Sequence, residues 1–184
     1  LVFLPGVAEI ARVQALLGET ARDGAVELRP LHGGLTAKEQ DAAIRPAAPG
    51  RRKVMLSTSI AETSLTVEGT RVVVDAGRMR TPRFDPASGM SRLLTQRVSR
   101  AAADQRRGRA GRMGPGICYR LWHETGQQTL LPHNRPEILD VDLAGLAIPV
   151  CLGGIEDLQL FTTKCRPRAR RRVCRTDRVV DLVD

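Results

Sequence analysis

The chain has 184 residues, 42% hydrophobic and only 3% aromatic, which is enough for one ordinary domain with a core of Leu, Val, Ile and Ala. A net charge of +9 and a pI near 10.6 favour a polyanionic partner, RNA or DNA, although charge alone names none. No apolar run approaches the roughly 18 residues of a membrane span, so no membrane partner is expected. Leu1-Val2-Phe3-Leu4 is too short for a signal peptide and runs straight into Pro5-Gly6. With no initiating Met, the sequence is expected to be a fragment or a split gene product. Cys118, Cys151, Cys165 and Cys174 form no C-x-x-C pair, which argues against zinc and for reduced thiols in the cytoplasm.

In chain order, residues 1–4 read as a buried strand ended by Pro5-Gly6. Ile10, Val13, Leu16 and Leu17 give a helical period over 7–17, closed by Gly18. Residues 26–31 predict a second strand, followed by a His32-Gly33-Gly34 loop. Thr36 and Glu39 form a capping box opening a helix that ends before Pro46. A Pro/Gly loop over 47–52 leads to a strand at 54–56, with Ser57-Thr58-Ser59 at its carboxyl end. Val72-Val73-Val74 has the pattern of a fully buried strand. This alternation predicts an α/β fold with a parallel sheet and right-handed crossovers. Residues 83–96, centred on Asp85-Pro86-Ala87-Ser88-Gly89, predict an inserted β-hairpin. Ser99 caps the next helix. Ile117, Tyr119 and Leu121 alternate on a last strand, where Tyr119 and Trp122 read as core residues. One or two helices are expected from Pro136 onward. The last 21 residues hold eight basic and three acidic side chains. This tail reads as a poorly ordered basic arm or, alternatively, a frame-shifted end. His32, His123 and His133 lack ligand spacing, and no metal site is expected.

Two stretches carry chemistry. In Gln105-Arg106-Arg107-Gly108-Arg109-Ala110-Gly111-Arg112, a helical turn would put Arg109 and Arg112 on one face. Two guanidiniums there repel unless an anion lies between them, and their planar forks suit phosphate. The plainer alternative is a solvated basic helix. Residues 57–66, Ser-Thr-Ser-Ile-Ala-Glu-Thr-Ser-Leu-Thr, are rich in hydroxyls and follow a strand, where ligands of parallel sheets gather. They suit the phosphates of a nucleotide or a nucleic acid, or else simply cap a helix.

The octet resembles motif VI of superfamily 2 helicases in the Q-R-x-G-R-x-G-R form of the DEAH-box group. Residues 58–66 resemble motif V of the same group, T-N-I-A-E-T-S-L-T, with Ser59 in place of the usual Asn. Residues 1–6 resemble motif IV, and Pro30-Leu31-His32-Gly33-Gly34-Leu35 the segment that follows it. Leu4-Pro5-Gly6, the Pro46 to Val54 stretch and Val73-Val74-Asp75-Ala76-Gly77 are most similar to the bacterial HrpB type. The resemblance covers about residues 1–150. It implies a second RecA-like domain over 1–135, the start of a winged-helix region over 136–163, and the separate tail over 164–184.

It further implies that Gln105, Arg109 and Arg112 face the γ-phosphate and attacking water of ATP with Mg²⁺, with Gly108 beside them. Thr66 and Glu68 would approach the ribose. Ile44 would stand where eukaryotic relatives stack an aromatic on the adenine, so base selectivity would be weak. Gly6, Gly33, Thr58 and Ser59 would track a single strand of RNA or DNA, and Arg83 would lie on a strand-separating hairpin. Arg106 could pair with a carboxylate, and Arg107 reads as surface. No G-x-x-x-x-G-K-[ST] and no Asp-Glu-x-His occurs, so an N-terminal RecA-like partner domain would have to hold the nucleotide. The alternatives are a stand-alone nucleic-acid-binding module and an inactive fragment of a split helicase gene.

Overall fold

A computed structural model describes residues 1–21, 25–63, 67, 69–85, 87–112, 114–136 and 140. Thr66 and Glu68 lie outside the described residues, as do the expected winged-helix start and basic tail, apart from Pro136 and Asp140. The elements in order are β1 (Val2–Phe3), α1 (Val7–Thr20), β2 (Val26–Leu31), α2 (Ala37–Ile44), β3 (Arg52–Ser57), α3 (Ile60–Thr63), β4 (Val72–Asp75), β5 (Arg78–Asp85), β6 (Met90–Arg97), α4 (Arg100–Gly108), β7 (Ile117–Arg120) and α5 (Glu124–Gln128).

Five strands form one sheet in the order β2-β3-β1-β4-β7, and every pairing is parallel. Register places Phe3 opposite both Ser57 and Asp75, and Leu31 opposite Ser57. The carboxyl ends of four strands therefore reach one edge. The α/β sheet with an inserted hairpin is the arrangement expected from the sequence. Pro30 is tolerated in β2 because β2 is an edge strand.

Helix α1 lays Ile10, Val13 and Leu17 on Leu4 and Leu56, on one face of the sheet. Gly18 does not close this helix, which runs two residues further, and Leu16 faces outward. The other face holds Phe3, Leu31, Ala43, Met55, Ala61, Val73 and Ala110. Each large apolar side chain buried there contributes about 1.5–3 kcal/mol. The predicted capping box of α2 is present: Thr36 Oγ1 accepts the Glu39 N–H, and the Glu39 carboxylate accepts the Thr36 N–H at 2.8 Å. Those bonds from Thr36 hold the Glu39 carboxyl below the usual glutamate range.

Two expectations need correction. Val72 is exposed rather than part of a fully buried strand. Tyr119 is exposed too, together with Ile117 and Leu121, so the alternation on β7 marks an outward face rather than the core. The inward residue is Cys118, which packs against the main cluster. Trp122 is half-buried against Met79, Val98, Ala102, Ala103 and Leu130.

The chain divides into two compact units. The first joins Leu1–Arg80 to Thr95–Asn134 and contains the sheet. The second contains Thr81–Leu94, the outer part of the β5–β6 hairpin, where Asp85 accepts from the Ala87 N–H at 3.0 Å and from Ser88 Oγ at 2.9 Å. Within that unit the Phe84 N–H donates to the Asp140 carbonyl.

Candidate functional site

The arginine octet begins on a helix and ends off it. Ser99 caps α4 by accepting the Ala102 N–H at 3.1 Å, and the helix stops at Gly108. Arg109 is the first residue beyond, and Arg112 lies in the turn that follows. The expected shared helical face is therefore corrected to a helix end and its exit turn. The two guanidiniums still come together. Gln105, Gly108, Arg109 and Arg112 line one cleft of about 380 Å³ with Glu62.

Beneath this cleft lies a buried ion cluster. Arg106 points inward and is 0% exposed. Its Nη1 donates to Asp75 Oδ1 at 2.7 Å, its Nε donates to Glu62 Oε1 at 2.6 Å, and its guanidinium stacks 4.8 Å from the Phe3 ring centroid. Asp75, at the carboxyl end of β4, is itself 0% exposed and also accepts the Gly77 N–H at 2.8 Å. Burial pushes the Glu62 carboxyl above the usual glutamate range, against the pull of Arg106.

Arg109 is 3% exposed and gives both Nε, at 3.0 Å, and Nη2 to the main-chain carbonyl of Glu62. Its pKa is lowered by desolvation and then by the neighbouring Arg112. A buried cation beside a second cation is an environment that a bound anion relieves. Arg112 and Gln105 are exposed, and Arg107 lies on the surface as expected, 3.6 Å from Asp104.

The residues expected to meet nucleic acid separate into two groups. Gly6, Gly33, Thr58 and Ser59 follow β1, β2 and β3, three adjacent parallel strands, and so share the carboxyl edge. The Thr58 N–H donates to the Leu31 carbonyl at 3.2 Å, and the Leu4 N–H to the Ser57 carbonyl at 2.8 Å, which ties the three loops together. Gly6 lies under the Arg80 guanidinium, where a Cβ would come within 2.5 Å of Nη1. Arg80 pairs with Glu9 at 3.0 Å. Gly33 is exposed with open space around it. Arg83 is exposed on β5 in the second unit. Ile44 is the last residue of α2 and half-buried.

Sequence reasoning missed Asp75, Arg80 and the part played by Glu62. The signal for Asp75 was a carboxylate ending an apolar strand, which needs a buried cation. Nothing in the sequence marked Arg80.

A family described as the helicase conserved C-terminal domain matches residues 1–114. The chain belongs to that family, in its DEAH-box branch. It is 50% identical to the ATP-dependent RNA helicase HrpB of Escherichia coli (strain K12) over 158 residues, which cover 85% of this chain and 19% of that protein. It is 41% identical to the probable ATP-dependent RNA helicase DHX34 of Homo sapiens over 165 residues, covering 88% of this chain and 14% of that one. A crystal structure of Escherichia coli DEAH/RHA helicase HrpB superposes with a TM-score of 0.76 at 50% identity, over 85% of this chain and 20% of that one. The sheet of this helicase C-terminal domain is thus RecA-like. The chain spans about a fifth or less of the length of these relatives.

Proposed function

We propose that this domain forms the carboxyl-side half of an ATP-dependent helicase motor. Arg109 and Arg112 act as arginine fingers on the terminal phosphate of an ATP held by an N-terminal RecA-like domain, and Gln105 orients the attacking water. The observation that carries this reading is the cleft in which Gln105, Gly108, Arg109 and Arg112 converge, lined with donors and holding two cations side by side. That donor set fits phosphate oxygens. In this reading the ligands for Mg²⁺ come from the other domain, as does the loop that holds the nucleotide.

Gly6, Gly33, Thr58 and Ser59 track the backbone of a single strand, RNA by analogy with the relatives' names, and Arg83 on the hairpin meets the strand as it separates. Phosphate contacts of this kind give little sequence preference and a strong salt dependence. Thr66 and Glu68 approach the ribose, and Ile44 offers only an aliphatic surface to the base. The domain extends over 1–135, with a winged-helix region beginning in 136–163 and a basic arm over 164–184. A cytoplasmic location accompanies this reading, and no described helix is long and apolar enough to cross a membrane.

The test is ATP turnover by the intact helicase that contains this domain. Arg109→Ala or Arg112→Ala should lower the turnover number by about 10³–10⁵ and leave single-strand RNA binding without ATP nearly unchanged. RNA binding that falls in parallel with turnover would instead favour a simple nucleic-acid-binding module.

A further inference from the structure

Glu62 is held at both ends. Its carboxylate is gripped by Arg106, which is pinned to Asp75 on β4 and also donates to the Arg78 carbonyl at 3.3 Å. Its main-chain carbonyl receives two donors of Arg109. Its own N–H donates to the Ser59 carbonyl at 2.9 Å, and the Ala61 N–H donates to the Thr58 carbonyl at 3.4 Å. The path from the Thr58–Ser59 peptide to the Arg109 guanidinium is thus a single helical turn, α3, with no slack residue between.

We infer that Glu62 is a positioning residue that sets where the Arg109 guanidinium lies and relays to it the state of the Thr58–Ser59 edge. This deepens the motor reading above and rests on it. Two guanidinium donors crowd one neutral carbonyl oxygen. Phosphate oxygens would offer the same fork charge-assisted bonds, roughly twice as strong as neutral ones. Arg109 therefore has two sites within reach, one on Glu62 and one on an anion in the cleft. A nucleic-acid backbone that displaces Thr58 and Ser59 moves the α3 turn, shifts the Glu62 carbonyl and changes the balance between those sites. The charge of Glu62 matters because Arg106 grips it, keeping α3 against α4 with its carbonyl turned to Arg109. Arg112, exposed in the exit turn, donates to neither Glu62 group and so escapes this control.

The experiment uses the 184-residue chain labelled with ¹⁵N-arginine, with the Arg109 Nε–H resonance assigned through Arg109→Lys. Without RNA, Arg109 Nε–H should exchange with water about tenfold more slowly than that of Arg112, the factor expected for a hydrogen bond of ordinary strength. In Glu62→Gln the side-chain volume and main-chain carbonyl remain, but the grip of Arg106 weakens, and this protection should fall to near the Arg112 rate. Unchanged protection in Glu62→Gln overturns the positioning role. If Glu62→Gln fails to fold, Glu62→Asp, which keeps the charge but shortens the reach, should lose part of the protection, and unchanged protection there overturns it equally.

The relay is read by adding a short oligouridylate. In the wild type, the amides of Thr58 and Ser59 and the Arg109 Nε–H should shift together. In Glu62→Gln or Glu62→Asp the amides should still shift and Arg109 should not. Amide shifts with an unmoved Arg109 in the wild type overturn the relay while the tracking surface stands. Absence of any RNA-induced shift in the wild type overturns the tracking reading and the relay with it, and the RNA-free comparison still decides the positioning role.

Discussion

Replacing Arg106 with Ala should be the most damaging single change in the octet, although Arg106 is not one of the proposed fingers. The guanidinium is 0% exposed and pairs with two carboxylates, Asp75 at 0% side-chain exposure and Glu62 at 9%. Asp75 Oδ2 has no hydrogen-bond partner among the described residues, so Arg106 and the Gly77 N–H carry its whole compensation. Removing one partner of a buried pair costs about 3–5 kcal/mol, because the other charge stays buried and unpaired. Against a typical total stability of roughly 5–15 kcal/mol, this variant stands near the threshold of folding. Arg109→Ala frees the Glu62 main-chain carbonyl beside the cleft and should cost about 1–3 kcal/mol. Arg112→Ala removes an exposed side chain and should stay within about 0.5 kcal/mol. Trp122 is the sole tryptophan and packs on Ala102 of α4, so its fluorescence during urea unfolding reports on the affected helix. A pH series adds a second check. A carboxyl raised by burial contributes stability below its ordinary value that is lost as pH rises through its folded-state value. Without Arg106 to oppose burial, Glu62 rises further, so the gap between wild type and variant should narrow as pH falls toward the ordinary glutamate value of 4.5. An Arg106→Ala cost no larger than that of Arg109→Ala, or a gap that widens toward acid, refutes the buried-cluster account.

Other perturbations separate backbone from side-chain effects. Gly77 has φ +71°, and an added Cβ would lie 2.6 Å from Trp122 Cε3, so Gly77→Ala should cost roughly 2–5 kcal/mol in urea unfolding. Gly18 sits inside α1 with nothing near its missing Cβ, so Gly18→Ala should stabilise by about 0.5–1 kcal/mol in the same assay. Thr36→Ala removes the α2 cap and should cost about 1 kcal/mol at neutral pH. The Thr36 hydroxyl also donates to the Glu39 carboxylate at 2.8 Å, and that part of the cap is present above the ordinary glutamate value of 4.5 and lost as pH falls through the lowered folded-state value, so the gap between the unfolding midpoints of wild type and variant should narrow there; the Thr36 N–H bond to Glu39, the larger cause of the lowering, stays in the variant. For the RNA interface, Arg83→Ala should reduce the slope of log K against log salt by about 0.7, one phosphate contact on a single strand, and an unchanged slope removes Arg83 from the tracking surface.

Most of the sheet was legible because local signals agreed with the global fold. The β2 strand, the Thr36–Glu39 box and the Ser99 cap each depend on neighbouring residues, and each appears where the spacing put it. The failures share a cause: they turn on what lies across the fold rather than along the chain. Alternation on β7 fixes that Ile117 and Tyr119 share a face, but which face is covered depends on where helices cross the sheet. Cys118, small and soft, took the inward position because α4 and the Ala110 turn pass close on that side. The same reasoning explains the octet. Its spacing suggested two arginines on one helical turn, but the helix ends at Gly108, before either of them. Which arginine turns inward was decided by Asp75, 31 positions earlier in sequence, through β4 running beside β1 beneath α4. A charged residue closing an apolar strand requires a buried counterion, and the nearest helix must then supply it from its inner face. That constraint fixes Arg106 as the anchor and leaves Arg109 and Arg112, beyond the helix end, as the pair that lines the cleft.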